Sequence, residues 1–466
     1  MIGDKQTQEV QSVLSSSYYW EHIARVEGFL VDSRSSDTLL NPHTLFLLQR
    51  DIVDHLSALG QMIRAGKKLR EAAEKEDNPD VTKQYAYGLT VNKALVSAVQ
   101  SVADGMAWRL LKFDRQLIRV MSAPKKPRGS VDLPVAYPGM EDAAIKLMYN
   151  NGSRIVFNDV THYLRSGDLT EFLPSGEIII HELKQNGKTV KNAYTVADQL
   201  LKHGPKTLVS KQMQNVILAQ KAFSEREIGI NGDTLVFQDI NLPFSTNLVA
   251  ISELISEARK SYFARTKFGN YLEVYCMDFK STIYNLLNRE PQSWKRFDLN
   301  SSFDSSDSVI DLDSWDSQYE EEGDFTRNKT PYSVYPFSVP DCMGLISGEL
   351  RLMSRLNLSE LHRLYRASGW EVSAFGVEQL QQQHQESVSV RQAGDVFNLG
   401  SSMKAFTISR NGFNLEVSLT MLLQIATDFL TPKLLLDMAE NIYETSERGS
   451  DRLVAPSFTS EKDVWI

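Results

Sequence analysis

Cysteine is scarce in this chain: two in 466 residues, Cys276 and Cys342, far apart. Two cysteines cannot build a disulfide framework or a four-ligand zinc site, and a reducing cytoplasm is the compartment that fits. Long apolar runs are missing as well. No stretch reaches the roughly 18 residues of a membrane span. The nearest, 417–430, carries Thr420, Gln424 and Asp428 and reads as a buried helix, so no membrane partner is expected. Residues 1–10 lack a cationic start followed by an apolar segment, so no export signal is expected either. There is no Gly-x-Ser-x-Gly elbow, no Ser/His/Asp triad spacing, no Gly-rich Walker loop and no Cys/His zinc spacing. These absences exclude the common serine-hydrolase layouts, an ATP-driven motor and a zinc finger.

Positive charge is also in deficit, with 50 basic against 59 acidic residues and a net charge of -9. The deficit is local. Residues 301–325 contain Asp304, Asp307, Asp311, Asp313, Asp316, Glu320, Glu321, Glu322 and Asp324 and no Lys or Arg, so this one segment matches the whole excess. The rest is near neutral, and nucleic-acid binding depends on local positive surface rather than on global charge.

What is present divides the chain into four parts. Residues 1–130 read as mainly helical: 47–63 and 91–121 carry apolar residues at three- and four-residue spacings, with a turn at Asp77-Asn-Pro-Asp80. A basic Pro/Gly linker follows at 124–129. Residues 138–298 read as an α/β domain: a helix near 141–149, extended stretches at 154–163, 168–173 and 177–184, and a hairpin turn at Pro174-Ser-Gly176. Helices near 196–203 and 209–224, a strand at 234–238, a helix at 247–260 and a strand at 271–279 complete it. Residues 299–330 form the acidic Ser/Asp-rich segment, expected to be a solvated linker. Residues 331–466 read as a separate α+β unit. In it, 358–367 is helical with Asn357 or Ser359 as cap, and Asn411-Gly412 is a two-residue hairpin turn.

The chemistry is expected at the 168–184 hairpin. Side chains alternate across a strand, so Glu182 and Lys184 project from one face roughly 7 Å apart. Asp168 opens the preceding strand, and antiparallel pairing brings it beside Glu182. Two carboxylates and an ammonium at one sheet edge suit phosphodiester hydrolysis. Mg²⁺ takes hard oxygen ligands such as Asp168, Glu182 and the Leu183 carbonyl. Lys184 would orient a water and contact the scissile phosphate. An acidic-x-basic triplet alone is nearly uninformative, because roughly six occur by chance at this composition. The signal lies in the ensemble of Gly167-Asp168, a turn, a β-branched run ending in Glu182-Leu183-Lys184, and flanking helices.

On these residues the chain resembles the PD-(D/E)XK, or restriction-endonuclease-like, superfamily. Gly167-Asp168 stands for its Pro-Asp or Gly-Asp, Glu182-Leu183-Lys184 for its (D/E)-x-K, and Glu141 for the acidic residue many members carry on the first core helix. The resemblance covers about 140 residues. It implies an αβββαβ core, Asp168, Glu182 and Glu141 at a Mg²⁺ or Mn²⁺ ion, and endonuclease cleavage of nucleic acid, first of all DNA. Some members add a Gln-Leu-x-x-Tyr helix; Gln212 with Val216 in the tyrosine position, and Gln199-Leu200, are partial matches. Gln212, Lys188 and Lys211 are candidates for holding substrate phosphates. A nuclease core between unfamiliar flanks suggests, by analogy, defence against foreign nucleic acid, with a homo-oligomer or a companion defence subunit. The other reading is a non-catalytic scaffold that uses the fold to bind nucleic acid or protein.

Other polar residues carry less. Alternation turns His181 and Glu171 away from Glu182, and His181 reads as a packing or hydrogen-bonding histidine. His162 and Asp159 read as ordinary strand residues. Arg109, Lys112, Arg115, Arg119, Lys125, Lys126 and Arg128 form either a phosphate-facing surface or a solvated face and linker.

Overall fold

The computed structural model describes residues 16–122, 133–183, 190–192, 208–230, 233–239, 246–279, 303, 309–313, 330–374, 404–446 and 453–457. It is a mixed α/β protein. The N-terminal part is helical: α1 (Ser16–Arg34), α2 (Ser36–Leu40), α3 (Pro42–Lys75), α4 (Pro79–Leu110) and α5 (Arg115–Ser122). Each of the two long helices starts the same way. The Asn41 side chain accepts from the amides of His43 and Thr44, the Asn78 side chain accepts from Val81, and a proline fills the first helical position. The expected helix at 91–121 is interrupted. Lys112 and Phe113 take positive φ (52° and 58°), and Asp114 restarts the helix by accepting from the Leu117 amide at 3.1 Å.

Helix α6 (Leu133–Asn151) leads into β1 (Arg154–Phe157), β2 (Leu169–Phe172), β3 (Ile178–Leu183) and β4 (Val190–Asn192), a four-stranded antiparallel meander in sequence order. The extended stretch expected at 154–163 ends early, with a 3-10 turn at Asn158–Val160. Two glutamines complete this sheet. Gln49 of α3 donates to the Ile155 carbonyl (2.7 Å) and accepts from the Phe157 amide (2.9 Å). Gln220, on helix α7 (Leu208–Glu225), donates to Ile178 (2.7 Å) and accepts from Ile180 (3.0 Å). Each side-chain amide stands in for a neighbouring strand, satisfying edge groups that would be costly to bury unpaired.

The chain continues through β5 (Glu227–Ile230), β6 (Asp233–Asp239), α8 (Leu248–Ser261), β7 (Phe263–Phe268), β8 (Leu272–Asp278) and β9 (Val309–Asp313). Then come α9 (Val339–Ser347), β10 (Leu350–Asn357), α10 (Leu358–Ala367), β11 (Glu371–Ala374), β12 (Lys404–Arg410) and β13 (Phe413–Ser418). Helices α11 (Leu419–Thr427) and α12 (Pro432–Ser446) and strand β14 (Leu453–Ser457) complete the order. Among the described residues the strand after α7 does not join the first sheet. Strands β5 and β6 pair with each other, and β14 adds to β6 in parallel, so an αβββαβ unit sharing one sheet is not what forms.

The sheet β7-β8-β10-β9 crosses the divisions expected at 299–330. Strand β8 pairs with β10 from Leu350↔Asp278 to Leu356↔Leu272, and β9, inside the acidic segment, pairs with the other edge of β10. One buried apolar cluster runs from Tyr19 to Ile442. Arg34 of α1 donates to the carbonyls of Ser333 (3.1 Å), Tyr335 (2.7 Å) and Phe337 (2.9 Å), and Ser333 donates to Ser101 of α4 (2.7 Å). The C-terminal residues therefore share buried core with the helical part.

Candidate active site

The 168–183 hairpin is rigidly held. The Pro174–Gly176 turn closes it, with Leu173 donating to Glu177 and Gly176 to Leu173, both at 2.9 Å. At its open end, Gly167 has φ +77°, a conformation side-chain-bearing residues rarely adopt. A Cβ built there would also lie 2.8 Å from the His181 carbonyl. Buried Asn158 pins this corner. It donates to the carbonyls of Ser166 (2.8 Å) and Gly167 (3.2 Å) and accepts from the Thr170 hydroxyl (2.8 Å), while its amide donates to the Asp168 carbonyl (3.0 Å).

Asp168 is thereby fixed at the end of β2. Its amide donates to His181 (2.7 Å), and its Oδ2 accepts from the Leu183 amide (2.5 Å). The β2–β3 register runs from Phe172↔Ile178 to Leu169↔His181; Asp168 stands one residue before β2, and Glu182 follows His181 on β3. Both residues are half-buried. The β3–β4 register then sets Glu182 opposite Lys191. Glu182 and Lys191 thus stand in one register row across β3 and β4. The place of Lys191 escapes sequence reading, because nothing local reveals that residues 190–192 return as a strand.

Lys184 and Lys188 lie outside the described residues, as does the helix expected at 196–203. Gln212 and Lys211 lie on α7, whose backbone is described there but not their side chains. Val216, the counterpart of the tyrosine in the Gln-Leu-x-x-Tyr pattern, is fully buried core.

Glu141 does not join the pair. Phe157 opposes Leu169 and so shares the face of Leu169, Glu171 and His181. Helix α6 packs there: its Tyr137 ring lies 5.5 Å from the Phe157 ring, and its Asn151 donates to Glu171 Oε1 at 2.8 Å. Glu141, one turn beyond Tyr137, acts on that tyrosine together with Asp54 and Asp51 of α3. After burial, these charges push the Tyr137 hydroxyl well above its ordinary pKa. A helical acid can be placed on either face of a sheet, and sequence alone does not say which. Among the described residues, no group of three or more His, Cys, Asp and Glu side chains is arranged to hold a metal ion.

The opposite face is closed. His181 Nε2 lies 2.7 Å from Glu171 Oε2, and both side chains are almost fully buried. Burial opposes ionisation of Glu171, yet hydrogen bonds from His181 and Asn151 outweigh it and hold the carboxyl below its ordinary pKa. His162 is turned toward α4, where buried Asp104 meets its Nδ1 at 2.7 Å and accepts from its amide at 2.6 Å. The cationic set thins out as well. Arg109 is spent on the carbonyls of Ser33 (2.9 Å) and Ser333 (3.3 Å), with its pKa pulled down to about 10 by burial and then by neighbouring Arg34. Arg115 pairs with fully buried Asp428 at 2.6 Å. Neither is a surface charge for phosphates. Both cysteines are buried thiols, pushed up by burial to about 12 (Cys276) and about 11 (Cys342), which makes them poor nucleophiles. Among the described residues no helix is long and apolar enough to cross a membrane.

Comparison of the chain with protein-family models, with curated proteins and with solved structures finds no match.

Proposed function

We propose that this protein is a divalent-metal-dependent nuclease whose centre is the Asp168–Glu182 pair. The single observation that supports the reading is the 2.5 Å bond from the Leu183 amide to Asp168 Oδ2, which brings Asp168 to the residue next to Glu182 at the open end of a braced hairpin. Two carboxylates are what Mg²⁺ takes from a protein when it keeps waters and gathers substrate phosphate oxygens. A bound ion of this kind supplies Lewis-acid stabilisation of phosphorane charge and an acidified water.

The residues divide the remaining work. The Leu183 amide fixes Asp168 Oδ2 and so orients the carboxylate. Residues that exchange hydrogen bonds across antiparallel strands send their N–H and C=O to the same side, so the Leu183 carbonyl leaves β3 on the Asp168 side. Lys184, and Lys191 from across the row, would hold the scissile phosphate. DNA is the first substrate to test, and a role in defence rests on layout alone. A second reading, a non-catalytic binding scaffold, draws on the same hydrogen bond: Asp168 already completes the β2–β3 ladder and has a structural use without any metal.

Incubation of the purified chain with plasmid and single-stranded DNA in Mg²⁺, Mn²⁺ or EDTA decides between them. Cleavage that needs the dication and falls about 100- to 1000-fold in Asp168→Asn is expected, the scale of losing one electrostatic group from a site. Asn keeps an oxygen for the Leu183 amide, so folding is spared. Cleavage that persists in EDTA, or none by the wild type with any metal, ends the nuclease reading.

A further inference from the structure

The long N-terminal helices bring two imidazoles face to face, far in sequence from the carboxylate pair. His22 on α1 and His55 on α3 approach with Nδ1 of the first 3.2 Å from Nε2 of the second. Their ring centroids are 4.8 Å apart and the planes are inclined by 48°, so the rings meet at an angle instead of lying flat together. His55 is buried at 2% exposure, and half-buried His22 stands between it and solvent.

Neighbours on α1 pack against both rings, one of them held in turn by α4. Tyr18, one turn before His22, packs on it with centroids 4.3 Å apart, and its hydroxyl donates to Asn92 of α4 at 2.8 Å. Phe29 meets His55 edge-on at 5.7 Å. Rotamers locked by packing are what a preformed ligand pair requires.

We propose that His22 and His55 form a two-imidazole site for a transition-metal dication of the zinc and copper class, stapling α1 to α3. Imidazole nitrogens bind zinc at about 2.0–2.1 Å, which puts two tetrahedral ligands about 3.4 Å apart. The observed 3.2 Å meets this without moving either helix. The ring that donates in the empty pair shifts its proton to its other nitrogen as the metal arrives, so no net charge leaves the protein. Waters fill the remaining positions on the side of His22. Imidazole selects zinc, copper and nickel over magnesium, which separates this site chemically from the carboxylate pair. Arg25, one turn on, places a positive charge near both rings and limits affinity. The consequence reaches beyond the helices, because α1 also carries Arg34, the clamp on the carbonyls of Ser333, Tyr335 and Phe337.

The test uses the full chain, with two probes. Zn²⁺ should raise the unfolding temperature saturably and reversibly with EDTA. Substoichiometric Cu²⁺ should give an electron paramagnetic resonance signal with two coordinated imidazole nitrogens. In His22→Ala, a half-exposed position that folding tolerates, the apparent zinc affinity should fall about tenfold or more, on the scale of disrupting a site. His55→Phe, which keeps the ring volume, should behave likewise, and Arg25→Gln should tighten binding. Equal zinc responses in wild type and His22→Ala, a one-nitrogen copper signal, or no zinc response at all would overturn the proposal.

Discussion

The two faces of the 168–183 hairpin make different uses of the same residue types. One face carries Glu171 and His181, almost fully buried and bonded to each other and to Asn151. The other carries Asp168 and Glu182, each only half-buried, with Asp168 Oδ2 accepting from the Leu183 amide. Strand alternation alone divides the four residues into these pairs. Burial then decides what each pair is for. The closed pair, bonded through His181 Nε2 and Asn151, contributes to holding the sheet on α6, whereas the other pair lies nearer to solvent. An acidic residue becomes a candidate for chemistry by what its face leaves open, not by its identity.

Removing the closed pair should give the largest effect. Glu171→Ala leaves His181 and Asn151 facing a buried gap, and breaking a buried pair by deleting one partner costs about 3–5 kcal/mol. A denaturant midpoint close to that of wild type would show the two faces to be less different than described. Asp168→Asn should do the reverse. Its unfolding midpoint should stay within about 1 kcal/mol of wild type, because the amide oxygen still meets Leu183, while cleavage collapses. Glu171→Gln supplies the opposite corner: cleavage present, stability reduced.

The helix-borne glutamines should have smaller effects. Gln49→Ala and Gln220→Ala each strand one strand N–H and one C=O, and a buried polar group left unmet costs about 1–3 kcal/mol. Gln220→Ala should loosen β3, which carries Glu182, whereas Gln49→Ala loosens β1 on the far edge. Amide exchange in the two variants, read at Ile180 and Phe157, should separate the edges; uniform loss of protection in both would mean that the sheet opens only as a unit.

Local signals made part of this structure legible. Asn411-Gly412 forms the expected two-residue turn, with positive φ at both positions and Arg410 opposite Phe413. Helix α10 starts on Asn357, whose side chain accepts from the Glu360 amide. What escaped was set at long range. β8 and β10 are more than seventy residues apart, and their register is imposed by packing. In β9, Val309, Ile310 and Leu312 alternate imperfectly with Asp311 and Asp313, and the surrounding negative charge concealed a strand. The placement of Glu141 turned on which face α6 covers, and the roles of Gln49 and Gln220 turned on where helices meet strand edges. None of these is written in a local pattern.

The smallest expected effect is the one that acid exposes. Glu171 ionises more readily in the folded chain than in the unfolded one, since His181 and Asn151 together outweigh its burial. Its folded pKa is depressed, so the unfolded state binds the proton first as pH falls. The stability this group contributes is present above the ordinary carboxylate range and is lost as pH drops through that range toward the folded value. Urea midpoints of wild type and Glu171→Gln, measured from neutral pH downward, should therefore converge in acid, because the neutral amide has no ionised state to favour. Asp168→Asn should track wild type over the same window, with Glu171 intact in both. If the Glu171→Gln difference stayed constant to the lowest pH at which the chain folds, the pair would owe its stability to packing and neutral hydrogen bonds, and the contrast between the two faces would lie in shape rather than in charge.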